Sequence, residues 1–398
     1  MHQDYPLVRV LGQKNLQLFS LCFFGNTRQS LNEFVITELG HRRYEHYTID
    51  INSRFISDRY TLEALLHYAS QRDRLKTEPG KLDIASLQNM AATLPDHRSQ
   101  PQLRRRYARL VNQIARQLER LDAIDAATAL YQLAQLPPAR ERLARIAAKS
   151  DQRDAAIRLC DTLIASPLSD DEFDFAQQFR ARLLRQKPPP QTPWPELSLA
   201  SPPDSAGVEQ AALALYQQQG FVGAHTENTL FNGLFGLCFW DILYAPVSQA
   251  FGHPYQLGPA DVFDEDFARV RAAPIHRRLN EVLQGAQWPQ MMRDTFQAKQ
   301  GINNFYVNWD QFDSKQLAMA LDHIPRLHLA AIFKRLLQHP GGNRSGFPDL
   351  CVYRHKEYRL VEVKGPGDTL QKNQRRWLHY FVSQGIPCEV CRIRYTDD

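Results

Sequence analysis

Asp349, Glu362 and Lys364 are charged residues whose types and spacing could do chemistry together. Asp349 opens one apolar run, and Glu362 and Lys364 stand at i and i+2 in the next. In a strand this spacing sends both side chains to one face and those of Val361 and Val363 to the other. If Arg354–Glu357 forms a four-residue loop, Tyr353 pairs with Tyr358 and Asp349 falls opposite Glu362. Two carboxylates then converge where a divalent cation could bind, with an ammonium group alongside. A three-residue loop would break the alignment.

The flanks narrow the reading. Gly346-Phe347-Pro348-Asp349-Leu350 is followed by Val361-Glu362-Val363-Lys364-Gly365-Pro366 and then by Asp368, Leu370, Gln374 and Trp377, in the order strand, strand, helix. This is the P-D…(D/E)-x-K pattern of metal-dependent nucleases, and the whole string resembles the VRR-NUC domain. Earlier in the chain, Glu227 precedes a strongly apolar helix. On local sequence alone such a carboxylate is a helix cap favoured by the macrodipole. The stretch is also similar to the Fanconi-associated nuclease family, where a glutamate before a Leu/Phe-rich helix ending in Trp-Asp-Ile completes the metal site. Glu227 followed by Thr229, Leu230, Phe231, Leu234, Gly236, Leu237, Trp240, Asp241 and Ile242 matches that placement. The likeness extends to Leu18–Gly25, Phe34–Gly40, the PPARERLARI segment and Cys388–Cys391, so it covers nearly the whole chain.

The resemblance implies a structure-selective DNA nuclease, a 5′-flap endonuclease and 5′ to 3′ exonuclease acting on branched or crosslinked DNA in interstrand-crosslink repair. It implies a multidomain, α-rich protein: an N-terminal SAP-like DNA-binding module over residues 1–95, a helical tetratricopeptide-like scaffold over 96–186 and a C-terminal α/β nuclease domain of the restriction-endonuclease-like type over 206–398. Asp349 is expected to bridge two ions, with Glu362, the Val363 carbonyl and Glu227 as further ligands. Lys364 is expected to orient the attacking water or to stabilise developing charge, and Gln374 to support the site. Oxygen ligands of this kind suit Mg²⁺ or Mn²⁺ better than zinc. A catalytically inactive junction-binding scaffold and a dimeric resolvase of four-way junctions are the alternatives, and the chain is compatible with a monomer or a homodimer.

Bulk properties agree with a DNA partner without requiring one. The 398 residues carry 43% hydrophobic residues and a formal charge of +5, enough for roughly two to four domains. The longest apolar stretch, Leu234–Ala245, is broken by Asp241, so no membrane span is expected. The start lacks the basic and apolar regions of a secretory signal. Six cysteines among apolar neighbours fit reduced thiols in the cytoplasm, with nucleoid association following from the DNA reading. Cys388-x-x-Cys391 lacks a second pair and reads as packing within a closing strand.

Leu16–Phe24 reads as a strand, and a helix starts near Ser30, with Ser30 and Glu33 forming a capping box and Gly40 ending it. Helices are expected over Arg59–Gln71 and Pro101–Leu121, with Gln71–Lys81 and Leu82–Leu94 completing a small mixed or helical module between them. The Pro101–Leu121 helix has Leu103, Tyr107, Leu110, Val111, Ile114 and Leu118 on one side and Arg104, Arg105, Arg106, Arg109, Arg116 and Arg120 on the other. That basic side suits a phosphate backbone and equally a solvated face with Arg106 and Arg120 paired to acids; the nuclease signal tips it toward DNA. Arg344, Lys372, Arg375 and Arg376 are the phosphate-binding candidates beside the hairpin. Residues 122–186 carry Ala-rich helical stretches of solenoid type, and the proline-rich stretch 187–205 reads as an extended linker. Asp261, Asp264, Glu265 and Asp266 fit an exposed loop and helix start, and His323, His328 and His339 fit packing or surface positions. Trp377 is expected in the core.

Overall fold

The computed structural model describes residues 13–25, 32–50, 56, 58–78, 80–95, 101–187, 192–201, 207–264 and 266–395. No helix among these is long and apolar enough to cross a membrane. The chain divides into two compact units, one of Met1–Lys187 with Pro246–Gln256, the other of Pro188–Ala245 with Leu257–Asp398.

The first unit is helical. The opening apolar run is α1 (Gln13–Phe24), not the strand its hydrophobicity suggested. Leu21 and Phe24 are buried whereas Leu16 and Phe19 are exposed, a one-sided burial at helical spacing that a strand would not give. It is followed by α2 (Asn32–Glu38); the cap expected of Ser30 lies outside the described residues. The left-handed φ of Gly40, +74°, lets its N–H reach the Thr37 carbonyl and close this helix. Next come α3 (Arg59–Thr77), capped by Asp58, and α4 (Ile84–Ala92), capped by Asp83. The first of these runs beyond Gln71 because Leu75 joins the core.

In α5 (Pro101–Arg120), Leu103, Leu110, Val111, Ile114 and Leu118 are buried, and Arg104, Arg109, Arg116 and Arg120 are exposed. Arg106 leaves the basic face: its guanidinium donates to the Gly25 carbonyl, and burial lowers its pKa. The chain continues as α6 (Ile124–Ala134), α7 (Ala139–Lys149), α8 (Arg153–Ala165) and α9 (Asp170–Leu184), each packed on the next. Buried alanines at 127, 139, 144, 156 and 176 let these helices approach closely. Glu119 ties three of them together, accepting from Tyr131 at 2.9 Å and Arg142 Nε at 3.0 Å.

Residues 246–256 depart from the expected continuous 206–398 domain. They pack within the first unit, where Phe251 stacks on Tyr47 at 4.0 Å and the Tyr47 hydroxyl donates to the His253 carbonyl at 2.6 Å.

The second unit is built on a five-stranded sheet in the order β1-β5-β4-β3-β2. Its β1 (Glu196–Ser201) lies inside the stretch read as linker. Proline tolerates the position beside an edge strand, and the Pro195 carbonyl accepts from Val390 N at 2.9 Å. After α10 (Val208–Gln218) come β2 (Val222–His225), α11 (Leu230–Cys238), α12 (Trp240–Leu243), α13 (Phe267–Val270), α14 (Ala272–Gln284), α15 (Trp288–Lys299), α16 (Ser314–His323) and α17 (Arg326–Gln338). The unit closes with β3 (Leu350–Arg354), β4 (Glu357–Lys364), α18 (Lys372–Ser383) and β5 (Cys388–Tyr395). The β1/β5 and β5/β4 pairs are parallel, and β4/β3 and β3/β2 antiparallel.

Alternation along the strands sorts the two faces. Leu350, Val352, Val361, Val363, Cys391 and Ile393 pack against Ala212, Leu213 and Tyr216 of α10. On the other face, Tyr353 lies 5.1 Å from the His323 ring and the Tyr358 hydroxyl meets His328 Nδ1 at 2.7 Å, so both histidines are packing residues. Cys388 and Cys391 are buried thiols, each pushed up to about 12 by burial, as a packing role requires. Asp261 is not an exposed loop acid. It grips Arg271 through two bonds of 2.6 and 3.0 Å, and Arg271 is 1% exposed. Removing one partner of such a buried pair costs about 3–5 kcal/mol.

Candidate active site

The hairpin has the register that the sequence predicts. Tyr353 pairs with Tyr358, Arg354 with Glu357 and Leu350 with Val361, which sets Asp349 opposite Glu362 at the next step. His355 carries the turn with φ +53°. Asp349 Oδ2 accepts from Val363 N at 2.7 Å, fastening the aspartate to the strand that bears Glu362. Lys364 Nζ lies 2.7 Å from Glu362 Oε1.

The elements ahead of the hairpin must bring Asp349 there. Gly346 has φ +88°, and a Cβ on it would stand 2.6 Å from Asn373 Cβ and 2.7 Å from the Asn373 carbonyl carbon, so only glycine fits against the start of α18. Phe347 is clamped by Trp377, ring centroids 4.1 Å apart, and the Trp377 indole donates to the Asn343 carbonyl at 3.2 Å. Trp377 is therefore core, as expected. Gln374, expected to support the site, is buried on the first turn of α18. Its Oε1 accepts from Gln371 N at 2.8 Å within a capping box that starts α18, and none of its described bonds reaches the carboxylates.

Glu227 arrives from a different element. The edge strand β2 pairs antiparallel with β3, His225 opposite Leu350, and Thr226 N donates to the Asp349 carbonyl at 2.8 Å. A tight turn follows, closed by Thr229 N on the Thr226 carbonyl. Asn228 occupies the left-handed region at φ +52°, where asparagine is among the tolerated residues. From there Asn228 Nδ2 donates to Glu227 Oε1 at 2.9 Å and Asn228 Oδ1 accepts from Phe347 N at 3.3 Å. One amide thus holds both the crossing carboxylate and the approach to the hairpin.

His225, Glu227 and Asp349 each offer a ligand atom within 4.8 Å of the other two. Sequence reasoning found Glu227 only through family likeness and missed His225 and Asn228. The signal for both was there: His225 stands two residues before Glu227, at the end of the strand pairing with the hairpin.

Negative charge outweighs positive here, the Lys364 ammonium standing among the carboxylates of Asp349, Glu362 and Glu227. Glu362 is 0% exposed, and the Lys364 ammonium meets its Oε1 at 2.7 Å. Burial first, and the Asp349 carboxylate second, push it up to about 8. Burial also raises Asp349, against the pull of the Val363 N–H and Lys364. A buried ionised carboxylate without adequate partners costs several kcal/mol. A divalent cation with oxygen ligands relieves that penalty, so these residues fit such an ion.

The basic candidates separate. Arg344 lines the same cleft as Glu227 and Asn228, a space of about 480 Å³, with its guanidinium 5.5 Å from the Phe263 ring. Lys372, Arg375 and Arg376 stand on the first turns of α18, Lys372 and Arg375 exposed and Arg376 partly so. Arg104, Arg105 and Arg109 lie in the other compact unit.

Comparison with known proteins decides the family. Residues 285–394 match the VRR-NUC domain. A Fanconi-associated nuclease 1 homolog of Pseudomonas aeruginosa is 34% identical over 394 residues, 95% of this chain and 68% of that relative. This chain belongs to the Fanconi-associated nuclease 1 family. The family member from Danio rerio is 34% identical over 197 residues, 48% of this chain and 20% of the relative. Among solved structures, paFAN1 bound to a 5′-flap DNA with a 2-nucleotide flap and a gap superposes with TM-score 0.82 at 32% identity, covering 98% of this chain and 72% of that one. The paFAN1 complex with a 1-nucleotide flap gives TM-score 0.78 at 33% identity, covering 96% of this chain and 71% of that one. The helix-rich fold with its C-terminal mixed sheet is thus that of a Fanconi-associated nuclease.

Proposed function

We propose that this chain is a metal-dependent, structure-selective DNA nuclease that incises 5′ flaps and degrades DNA 5′ to 3′ at branched or crosslinked sites, in interstrand-crosslink repair. The observation that carries the reading is Glu362, fully buried beside Asp349, with the Lys364 ammonium 2.7 Å from its Oε1. The flap substrate comes from the paFAN1 complexes with 5′-flap DNA.

Asp349, Glu362, Glu227 and the Val363 carbonyl would hold two Mg²⁺ or Mn²⁺ ions. Such ions neutralise the scissile phosphate, lower the pKa of bound water and stabilise the leaving oxygen. Lys364 presents its ammonium beside Glu362, where it orients the attacking water or meets charge developing on the phosphate. Asn228 keeps the Glu227 carboxylate aimed, and Gln374 fixes the start of the helix behind Gly346. Arg344, Lys372, Arg375 and Arg376 take backbone phosphates near the cut. Residues 1–95 act as a SAP-like DNA-binding module and residues 96–186 as a tetratricopeptide-like scaffold on which Arg104, Arg105 and Arg109 meet duplex phosphates. The protein works in the cytoplasm on chromosomal DNA.

A labelled 5′-flap substrate tests this. Cleavage is expected with Mg²⁺ or Mn²⁺, not with chelator and not by Asp349→Ala. Flap binding without metal-dependent cutting would make the chain a junction-binding scaffold, and symmetric paired nicks in a four-way junction would make it a resolvase.

A further inference from the structure

The two ions that serve such sites differ in their taste for nitrogen. Mg²⁺ is a hard cation that prefers oxygen and water, whereas imidazole suits later divalent metals, and Mn²⁺ stands at the boundary. All the ligands considered so far are oxygens. His225 is not. It ends the edge strand β2, where it is exposed, and its ring offers a nitrogen within 4.8 Å of carboxylate oxygens of both Glu227 and Asp349. Neighbouring ligand atoms each about 2.1 Å from one octahedral ion stand about 3.0 Å apart, so closing from within 4.8 Å asks for a movement of at most about 2 Å, which rotation of the exposed His225 side chain supplies. The backbone already favours this. His225 is locked opposite Leu350 by strand pairing, Thr226 N is bonded to the Asp349 carbonyl, and Asn228 fixes Glu227. A second observation points the same way: the adjoining carboxylate of Glu362 is fully buried and shares the Lys364 ammonium, 2.7 Å from its Oε1, with the carboxylates of Asp349 and Glu227, so negative charge outweighs positive at this corner.

We propose that His225 supplies an imidazole nitrogen to the cation held by Glu227 and Asp349, and that this nitrogen makes the site prefer Mn²⁺ to Mg²⁺. The proposal rests on the metal-dependent nuclease reading but concerns which ion the site selects. An exposed imidazole on an edge strand can swing onto a larger, less strictly octahedral ion and leave Mg²⁺ to its waters. The hairpin carboxylates are then the ligands common to both ions, and His225 the discriminating one.

The test uses the full chain without DNA. Mn²⁺ binding is followed by the loss of the free-ion electron paramagnetic resonance signal, and Mg²⁺ affinity by competition against it. His225→Ala is expected to weaken Mn²⁺ on the order of tenfold and Mg²⁺ less than about twofold, collapsing the selectivity. His225→Gln, which returns an oxygen donor, should not restore it. In the wild type, electron spin-echo modulation of bound Mn²⁺ should show a directly coordinated nitrogen, absent from His225→Ala. Equal weakening of both ions, or no nitrogen coupling, would overturn the proposal. Failure of the nuclease reading is a different result: wild-type protein that binds neither ion, or Asp349→Ala that binds both as well as wild type.

Discussion

The two halves of the candidate site are built on opposite principles. The hairpin half, Asp349, Glu362 and Lys364, is nearly closed to solvent, with exposures of 7%, 0% and 9%. It is held by strand register and by packing of Gly346 and Phe347 on α18. The crossing half, His225, Glu227 and Asn228, sits on an edge strand and a tight turn, and hangs on hydrogen bonds to Asp349 and Phe347 backbone atoms. The first half stores unfavourable electrostatics, two acids whose pKa values are raised by burial, that of Glu362 also by the neighbouring Asp349 carboxylate. The second offers an exposed imidazole and a half-buried carboxylate. Together they give a buried charged floor and a more exposed wall held by hydrogen bonds.

Substitutions should separate the halves. On the hairpin side, Glu362→Gln removes a ligand that nothing replaces, and flap cleavage is expected to fall on the order of 10³-fold in single-turnover assays. On the crossing side, Asn228→Ala leaves the carboxylates in place but frees Glu227 and the Phe347 N–H and sets alanine at φ +52°, so a loss of roughly 10- to 100-fold together with a lowered thermal stability is expected. If Asn228→Ala were as severe as Glu362→Gln, the contrast between wall and floor would fail. Gly346→Ala tests the floor itself. A left-handed φ and a 2.6 Å approach to Asn373 predict destabilisation of about 1–3 kcal/mol or more, measured by denaturant unfolding.

pH sharpens the contrast further. Glu362 is raised from 4.5 to about 8 in the folded protein, so the metal-free folded state binds a proton that the unfolded chain has released between those values. Its contribution to stability is complete below 4.5 and is lost as pH rises through about 8. Metal-free protein should therefore melt at lower temperature as pH increases across this window, Glu362→Gln should flatten the slope, and added Mn²⁺ should stabilise most at the alkaline end. A smaller effect is expected outside both halves. Arg104→Ala and Arg109→Ala on α5 should each lower the salt dependence of DNA affinity by about 0.9 in log–log slope, without changing the cleavage rate at saturating protein.

The same division explains what was legible in the sequence. The hairpin is local: a four-residue turn fixes its register, so Asp349 and Glu362 could be paired on paper. The role of Glu227 came from family likeness alone, because its meaning depends on strand pairing across more than a hundred residues. His225 and Asn228, beside Glu227 in the chain, went unread for the same reason. The edge strand β1 was hidden among prolines, since its parallel partner β5 lies at the far end of the chain. The helix Gln13–Phe24 read as a strand because a continuous apolar run carries no period; which of its residues are buried decides the matter. Asp261 looked like a surface acid until the fold delivered Arg271 to it.

Anomalous diffraction from crystals soaked in Mn²⁺ tests the central claim most directly. Manganese density is predicted between Asp349 and Glu362, extending to Glu227, and absent from Asp349→Ala crystals. Wild-type crystals with no density at that corner, or with manganese bound only elsewhere, would contradict the account.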